Sequence, residues 1–159
     1  KVVVKPLYDK GGAGVDILSD KNTQGMKILK NITKNFREQI ILQEFIKKVQ
    51  KGDKRVILVD GVPVGCINRV PKKDSFKANL HLGGTAEKTK LSKKEKAICH
   101  EIKAYLLKNQ FFFVGIDIID EKLTEINVTS PTGLVQINEL YKTNIEKKFW
   151  NMLIKKLSD

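Results

Sequence analysis

An α+β fold built on an antiparallel sheet is what this sequence predicts. Its strands come as hairpins, few helices lie between them, and their order is not the strand–helix alternation of a doubly wound parallel fold. Asp60-Gly61 separates the apolar runs Arg55–Val59 and Val62–Val70 as a tight hairpin turn. Asp120-Glu121-Lys122 does the same between Phe112–Ile119 and Leu123–Val128.

The elements follow in chain order. Residues 1–6 carry three consecutive valines and read as a strand; a glycine loop, Asp9-Lys10-Gly11-Gly12-Ala13-Gly14, leads to a second strand near Val15–Leu18. Met26, Leu29, Ile32 and Phe36 recur at helical spacing and predict a helix over Thr23–Asn35. Ile40–Ile46 is a short apolar strand, and the first hairpin follows it. From Pro71 to Leu91 the chain is polar and without period, the pattern of a long functional loop. Ser92-Lys93-Lys94-Glu95 is a capping box opening a helix whose buried face holds Ala97, Ile98, Ile102, Tyr105 and Leu106. Ile145, Phe149, Leu153 and Leu157 make the end of the chain helical, with Trp150 expected in the core.

The 159 residues suit one compact domain, residues 1–159, with a core of its own. A start without Met, already on a strand, points to a piece of a longer polypeptide. The longest apolar run, Phe111–Ile119, is too short to span a bilayer, so no membrane partner is expected. Cys66 and Cys99 read as small buried hydrophobes in a reducing cytoplasm, not as a disulfide framework. The net charge of +12 raises nucleic-acid binding as a competing reading. Against it, only three of the 30 basic residues are arginine, and no zinc-finger spacing or aromatic RNA-binding motif is present. Anionic small molecules such as nucleoside triphosphates fit the charge equally well.

The chemistry concentrates in the last hairpin. With a three-residue loop, Ile119 opposes Leu123 and Asp117 opposes Glu125, while Asn127 lies one pleat on along the same face. Ile116, Ile118, Thr124, Ile126 and Val128 then face the core. Two carboxylates this close repel, and a hard divalent cation with oxygen ligands, the Asn127 carbonyl as the third, removes the conflict. The other reading is that one carboxylate meets a lysine while the other faces water. Lys5 and the glycine loop could hold phosphate, although no lysine followed by serine or threonine opens a helix there, and a plain hairpin turn is the other reading. Arg55 and Arg69 can each grip a carboxylate or phosphate with two hydrogen bonds, yet a strict two-residue turn at Asp60-Gly61 puts them on opposite faces. His100 on a lysine-rich helix reads as solvent-facing, His81 lies in the long loop, and Ser130 lacks a histidine base, so a hydrolase triad is not expected.

Lys5-Pro6-Leu7 with Gly11-Gly12-Ala13-Gly14, Gly52-Asp53-Lys54-Arg55, Val59-Asp60-Gly61, Ile67-Asn68-Arg69-Val70-Pro71, Phe113–Asp117 and Leu123–Thr132 occur in order. Together they closely resemble the bacterial glutathione synthetase family of ATP-grasp ligases over nearly the whole chain. The Thr124–Thr132 stretch is specific, whereas the glycine loop fits many ATP-grasp relatives. The resemblance implies a truncated ATP-grasp domain. Lys5, Gly11, Gly12, Ala13 and Gly14 would hold the ATP phosphates; Gln43, Glu44, Phe45 and Ile46 would line the adenine pocket, with Asp53 near the ribose. It implies Mg2+ or Mn2+ on Asp117, Glu125 and Asn127, Arg55 and Arg69 as catalytic residues, and substrate contacts from Asn79, Ser130, Pro131 and Thr132. Pro71–Thr85 resembles the family's lid, with Lys77 where arginine is frequent and Thr85 where a basic residue is common. The implied reaction joins glycine to γ-glutamylcysteine through an acyl phosphate in a cytoplasmic, homo-oligomeric enzyme, and the stretch at hand is expected to be inactive alone. Another ATP-grasp ligase of amino acids or peptides is the neighbouring alternative, and a basic polyanion-binding module the distant one.

Overall fold

The structure is a computed structural model that describes residues 1–8, 11–19, 23–73, 75–80 and 83–158. It forms two compact units, Lys1–Lys47 and Lys48–Asp159.

In the first unit, strands β1 (Val2–Pro6), β2 (Asp16–Leu18) and β3 (Ile40–Glu44) make an antiparallel sheet in the order β2-β1-β3. The β-branched valines of β1 suit its central place, and Val4 is fully buried. Helix α1 is shorter than the apolar spacing predicts, Gly25–Ile32 instead of Thr23–Asn35. Thr33 turns its hydroxyl back onto the Leu29 carbonyl at 2.6 Å, and Lys34, Asn35 and Phe36 then adopt left-handed backbone angles. Phe36 therefore leaves the helical stripe and is exposed.

In the second unit, β4 (Asp53–Val59), β5 (Val62–Val70), β6 (Thr85–Lys88), β7 (Phe113–Ile119) and β8 (Lys122–Asn127) form an antiparallel sheet in the order β6-β5-β4-β7-β8. The central strands β4 and β7 are the two with long apolar runs. Helix α2 (Lys93–Lys108) covers one face, packing Cys99 and Leu106 onto Val56, Leu58, Val114, Ile116 and Ile118. Helices α3 (Leu134–Tyr141) and α4 (Ile145–Ser158) cover one end of the other face, where Ile137 and Ile145 pack on Ile57 and Ile67. The other end of that face carries the charged residues described below.

Several expectations need correction. Strand β6 lies within the stretch read as loop; its charged sequence, Thr85-Ala86-Glu87-Lys88, is that of an exposed edge. Helix α3 follows Gly133 at a φ of +115° without a side-chain cap, so it carries no start signal in the sequence. Trp150 is 57% exposed on α4, and Phe149 packs instead, edge-on against Phe112 and Phe113. Other features are as expected. Cys66 and Cys99 are free thiols, Cys99 buried in the α2-side core and Cys66 half-buried against it, and His100 is exposed. Among the described residues, no helix is long and apolar enough to cross a membrane.

The capping box of α2 is complete. Ser92 accepts from the Glu95 amide at 3.2 Å, and Glu95 accepts from the Ser92 amide at 2.7 Å and from Lys54 Nζ at 2.7 Å. Ser92→Ala is expected to lower stability by about 1 kcal/mol. Glu95→Ala, which also strips Lys54 of its carboxylate partner, is expected to lower it by roughly 2–3 kcal/mol. Urea unfolding followed by circular dichroism measures both.

Candidate active site

Backbone register decides which side chains meet at the charged end of the sheet. In the β7–β8 hairpin Asp117 pairs with Glu125 and Gly115 with Asn127. The route differs from the one expected. The turn has two residues, Asp120 and Glu121, both with positive φ, and Ile119 pairs with Lys122 instead of Leu123. One extra residue in β8, Thr124, then restores the count, and its hydroxyl donates to the Asp117 carbonyl at 3.1 Å. Ile126 and Val128, expected in the core, are 37% and 40% exposed because β8 is the edge of the sheet.

The β4–β5 hairpin corrects the expectation for the arginines. Its turn is the tight Asp60-Gly61 pair, but β5 carries a bulge: Leu58 pairs with Pro63 and Ile57 with Gly65, leaving Val64 extra. Proline has no amide to donate to the ladder, and bulges are where sheets accommodate it. Beyond the bulge Asp53 pairs with Arg69 and Arg55 with Ile67. Arg55 and Arg69 therefore stand on one face, and Arg55 pairs in turn with Asp117 across β4–β7.

The result is a buried chain of charges. Arg55 grips Asp117 at both oxygens, Nε to Oδ1 at 2.5 Å and Nη2 to Oδ2 at 2.9 Å. Its third nitrogen, Nη1, donates to the Thr132 carbonyl at 3.1 Å. Arg69 Nη2 lies between two carboxylates, 2.5 Å from Asp53 Oδ2 and 3.0 Å from Asp117 Oδ1. The side chains of Arg55, Asp117 and Arg69 are 7%, 6% and 5% exposed, and that of Asp53 is 15% exposed. Burial raises the proton affinity of Asp117, but Arg69 and Arg55 outweigh it and hold this carboxyl below the ordinary range. Asp53 has the opposite balance. Burial, then repulsion from Asp117, push it up to about 7 against the pull of Arg69 and Arg55. Its second oxygen, Oδ1, is buried without a protein partner.

The donors near Asp117 fit a hard divalent cation. Asp117 Oδ2 carries one hydrogen bond, leaving a lone pair, and Glu125 stands opposite on the neighbouring strand. Asn127 has its amide buried with Nδ2 unpartnered, and a half-turn about Cβ–Cγ places the carbonyl oxygen there. Two carboxylates and an amide are the oxygen set that magnesium or manganese takes.

The segment after β8 closes over this face. Pro131 is buried, while Ser130 and Thr132 are exposed. A Cβ on Gly115 would come within 2.7 Å of Pro131 Cβ and 3.3 Å of Arg55 Cδ. Gly115 thus admits the segment, a role the sequence analysis missed; a glycine inside a central apolar strand is the signal that could have found it. Asn79 lies in the segment before β6, its carbonyl accepting from the Gly84 amide at 3.3 Å. His81, Asp9 and Lys10 lie outside the described residues, as do Asp74 and Leu82 of the segment likened to a lid.

The remaining candidates belong to the first unit. Lys5 sits on β1 paired with Ile41; Gln43 and Glu44 on β3 pair with Val3 and Val2, and Phe45 and Ile46 follow. Gly11, Gly12 and Gly14, at φ of 67°, 78° and 65°, give the β1–β2 connection left-handed turns around Ala13.

Two outcomes follow from this geometry. Gly115→Ala is expected to displace Pro131 and Arg55 and to destabilise the fold by roughly 1–3 kcal/mol, measured by urea unfolding. Asp53 has a raised folded-state value, so its contribution is greatest below about pH 4 and is lost as pH rises through about 7. Compared with Asp53→Asn, the wild type is expected to lose relative stability as pH rises over that window. Unfolding curves for both proteins between pH 4 and 8 measure the difference.

The sequence matches the family described as prokaryotic glutathione synthetase, ATP-grasp domain, over residues 1–142. It is 45% identical over 150 residues to glutathione synthetase of Mesorhizobium japonicum, covering 94% of this chain and 48% of that protein. It is 47% identical over 154 residues to glutathione synthetase of Prochlorococcus marinus, covering 96% and 50%. The chain thus spans about half the length of these relatives. Among solved structures it superposes on D-alanine–D-alanine ligase of Bacillus anthracis complexed with ATP, with a TM-score of 0.64 at 16% identity over 97% of this chain and 51% of that one. The ATP-grasp ligase PsnB complexed with precursor peptide PsnA2 and AMPPNP gives a TM-score of 0.65 at 14% identity over 99% and 47%. Both likenesses establish an α+β ATP-grasp fold. By its sequence and its fold, the chain belongs to the ATP-grasp domain family of prokaryotic glutathione synthetases.

Proposed function

We propose that the protein containing this chain ligates glycine to γ-glutamylcysteine at the expense of ATP, forming glutathione through an acyl phosphate. The observation that carries the reading is the ionic end of the five-stranded sheet. Two arginines are buried beside Asp117 there, and Asp117 faces Glu125 with Asn127 one pleat on.

In the reaction an oxygen of the cysteinyl carboxylate forms a bond to the γ-phosphorus of ATP, and the bond to the departing ADP oxygen breaks. The glycine amine then attacks the acyl carbon, loses a proton, and expels phosphate. Asp117, Glu125 and Asn127 would hold magnesium or manganese, which when bound neutralises charge on the transferring phosphoryl group. Arg69 and Arg55 supply fixed positive charge beside this centre, suited to the carboxylate substrate and to the oxyanion that develops on it. The exposed Ser130 and Thr132, next to buried Pro131, offer polar contacts for the glycine substrate, and Asn79 is assigned to substrate as well. Lys5 and the Gly11–Gly14 turn are assigned to the ATP phosphates, Gln43–Ile46 to adenine, and Asp53 Oδ1, the buried oxygen without a partner, to a ribose hydroxyl. A cytoplasmic, homo-oligomeric enzyme completes the proposal.

Glu125→Ala tests it. The glutamate is exposed on an edge strand, so the variant is expected to fold normally while ligation in the full-length protein falls at least about 100-fold. Glutathione is quantified by mass spectrometry alongside ADP release. Wild-type rates in the variant would exclude the metal assignment, and ADP release without glutathione in the wild type would exclude the substrates.

A further inference from the structure

We infer that Asp53 is a positioning residue whose carboxylate holds Arg69 partly away from Asp117 and thereby sets the cation affinity of Asp117, Glu125 and Asn127. The inference rests on the metal assignment proposed above and adds a residue outside the ligand set.

Three observations support it. Arg69 is shared unequally: its Nη2 is 2.5 Å from Asp53 Oδ2 and 3.0 Å from Asp117 Oδ1. Asp117 is meanwhile already gripped at both oxygens by Arg55. A carboxylate offers about four lone-pair directions, and three of those on Asp117 are in use. Drawing Arg69 closer to Asp117 would set a second full positive charge beside the direction left on Oδ2 for a metal ion. Asp53 supplies the competing acceptor that prevents this.

The charge count agrees. Arg55 and Arg69 stand among Asp53, Asp117 and Glu125, two positive groups against three negative ones. The surplus negative charge attracts a dication. Without Asp53 the count is balanced, and Arg69 faces the cation with nothing on its far side.

The test is direct binding of Mn2+ alone, followed by electron paramagnetic resonance of the free ion. It uses the full-length protein at about pH 8, without nucleotide, so that any contact of Asp53 with ATP plays no part. Asp53→Asn is expected to weaken Mn2+ binding roughly ten-fold or more. Adding Arg69→Gln to Asp53→Asn is expected to restore most of the loss, because the two changes together return the surplus negative charge. Asp60→Asn is the control for charge alone: Asp60 lies at the β4–β5 turn, paired with Lys156 at 2.6 Å, and its removal is expected to leave Mn2+ affinity unchanged. Circular dichroism confirms that each variant is folded. Equal affinity in Asp53→Asn and the wild type overturns the inference while leaving the metal site intact. Loss in Asp53→Asn without recovery in the double variant shows that Asp53 does not act through Arg69, which also overturns it. No Mn2+ binding by the wild type overturns the metal assignment together with the inference.

Discussion

The bidentate pair between Arg55 and Asp117 joins the two central strands of the larger sheet from side chain to side chain, at a place where both partners are buried. Removing either member would strand a buried charge, which costs about 3–5 kcal/mol in comparable pairs. Replacing both with apolar residues of similar size is commonly neutral or favourable, so such a pair is a poor device for stability alone. Its value lies in what it orients. Arg55 holds the Thr132 carbonyl and so fixes the segment after β8, while Asp117 shares Arg69 with Asp53 and faces Glu125. Most of what is chemically interesting on this face is one contact away from that pair.

The same sheet face is divided by composition. At one end, aliphatic side chains from β4 and β5 are sealed beneath α3 and α4; at the other, the rows are ionic. The apolar end gives the strands a fixed frame. The ionic end sets proton affinities in opposite directions, with Asp117 lowered and Asp53 raised although both touch Arg69. Burial pushes both upward, and the neighbours decide the outcome: Asp117 has two guanidinium groups in hydrogen-bond contact, whereas Asp53 has one and also feels the Asp117 charge.

Much of this was legible in the sequence. Asp60-Gly61, the capping box at Ser92 and the alternation through Phe113–Ile119 each carry a local physical signal, and each element formed where that signal lay. The pairing of Asp117 with Glu125 was also legible, by a count in which two differences cancel: the turn is one residue shorter than expected, and Thr124 is one residue extra. The shared face of Arg55 and Arg69 was not. Val64 is as apolar as its neighbours, so nothing in composition marks it as the residue left out of the ladder. The Pro63 beside it was the available hint. Strand β6 and helix α3 escaped for a related reason, since a charged edge and an uncapped start resemble loop.

The two bulges carry a consequence for how such a chain can change in length. Side chains alternate across a sheet with period two, so each bulge works as a parity setting for everything beyond it. One residue lost or gained between Pro63 and Arg69, or between Leu123 and Asn127, would exchange the inward and outward sets of that strand. A change of two would preserve them. Surface hairpins are ordinarily permissive to insertion, but these two admit only even steps, and an odd one is tolerable only if a second odd change nearby cancels it.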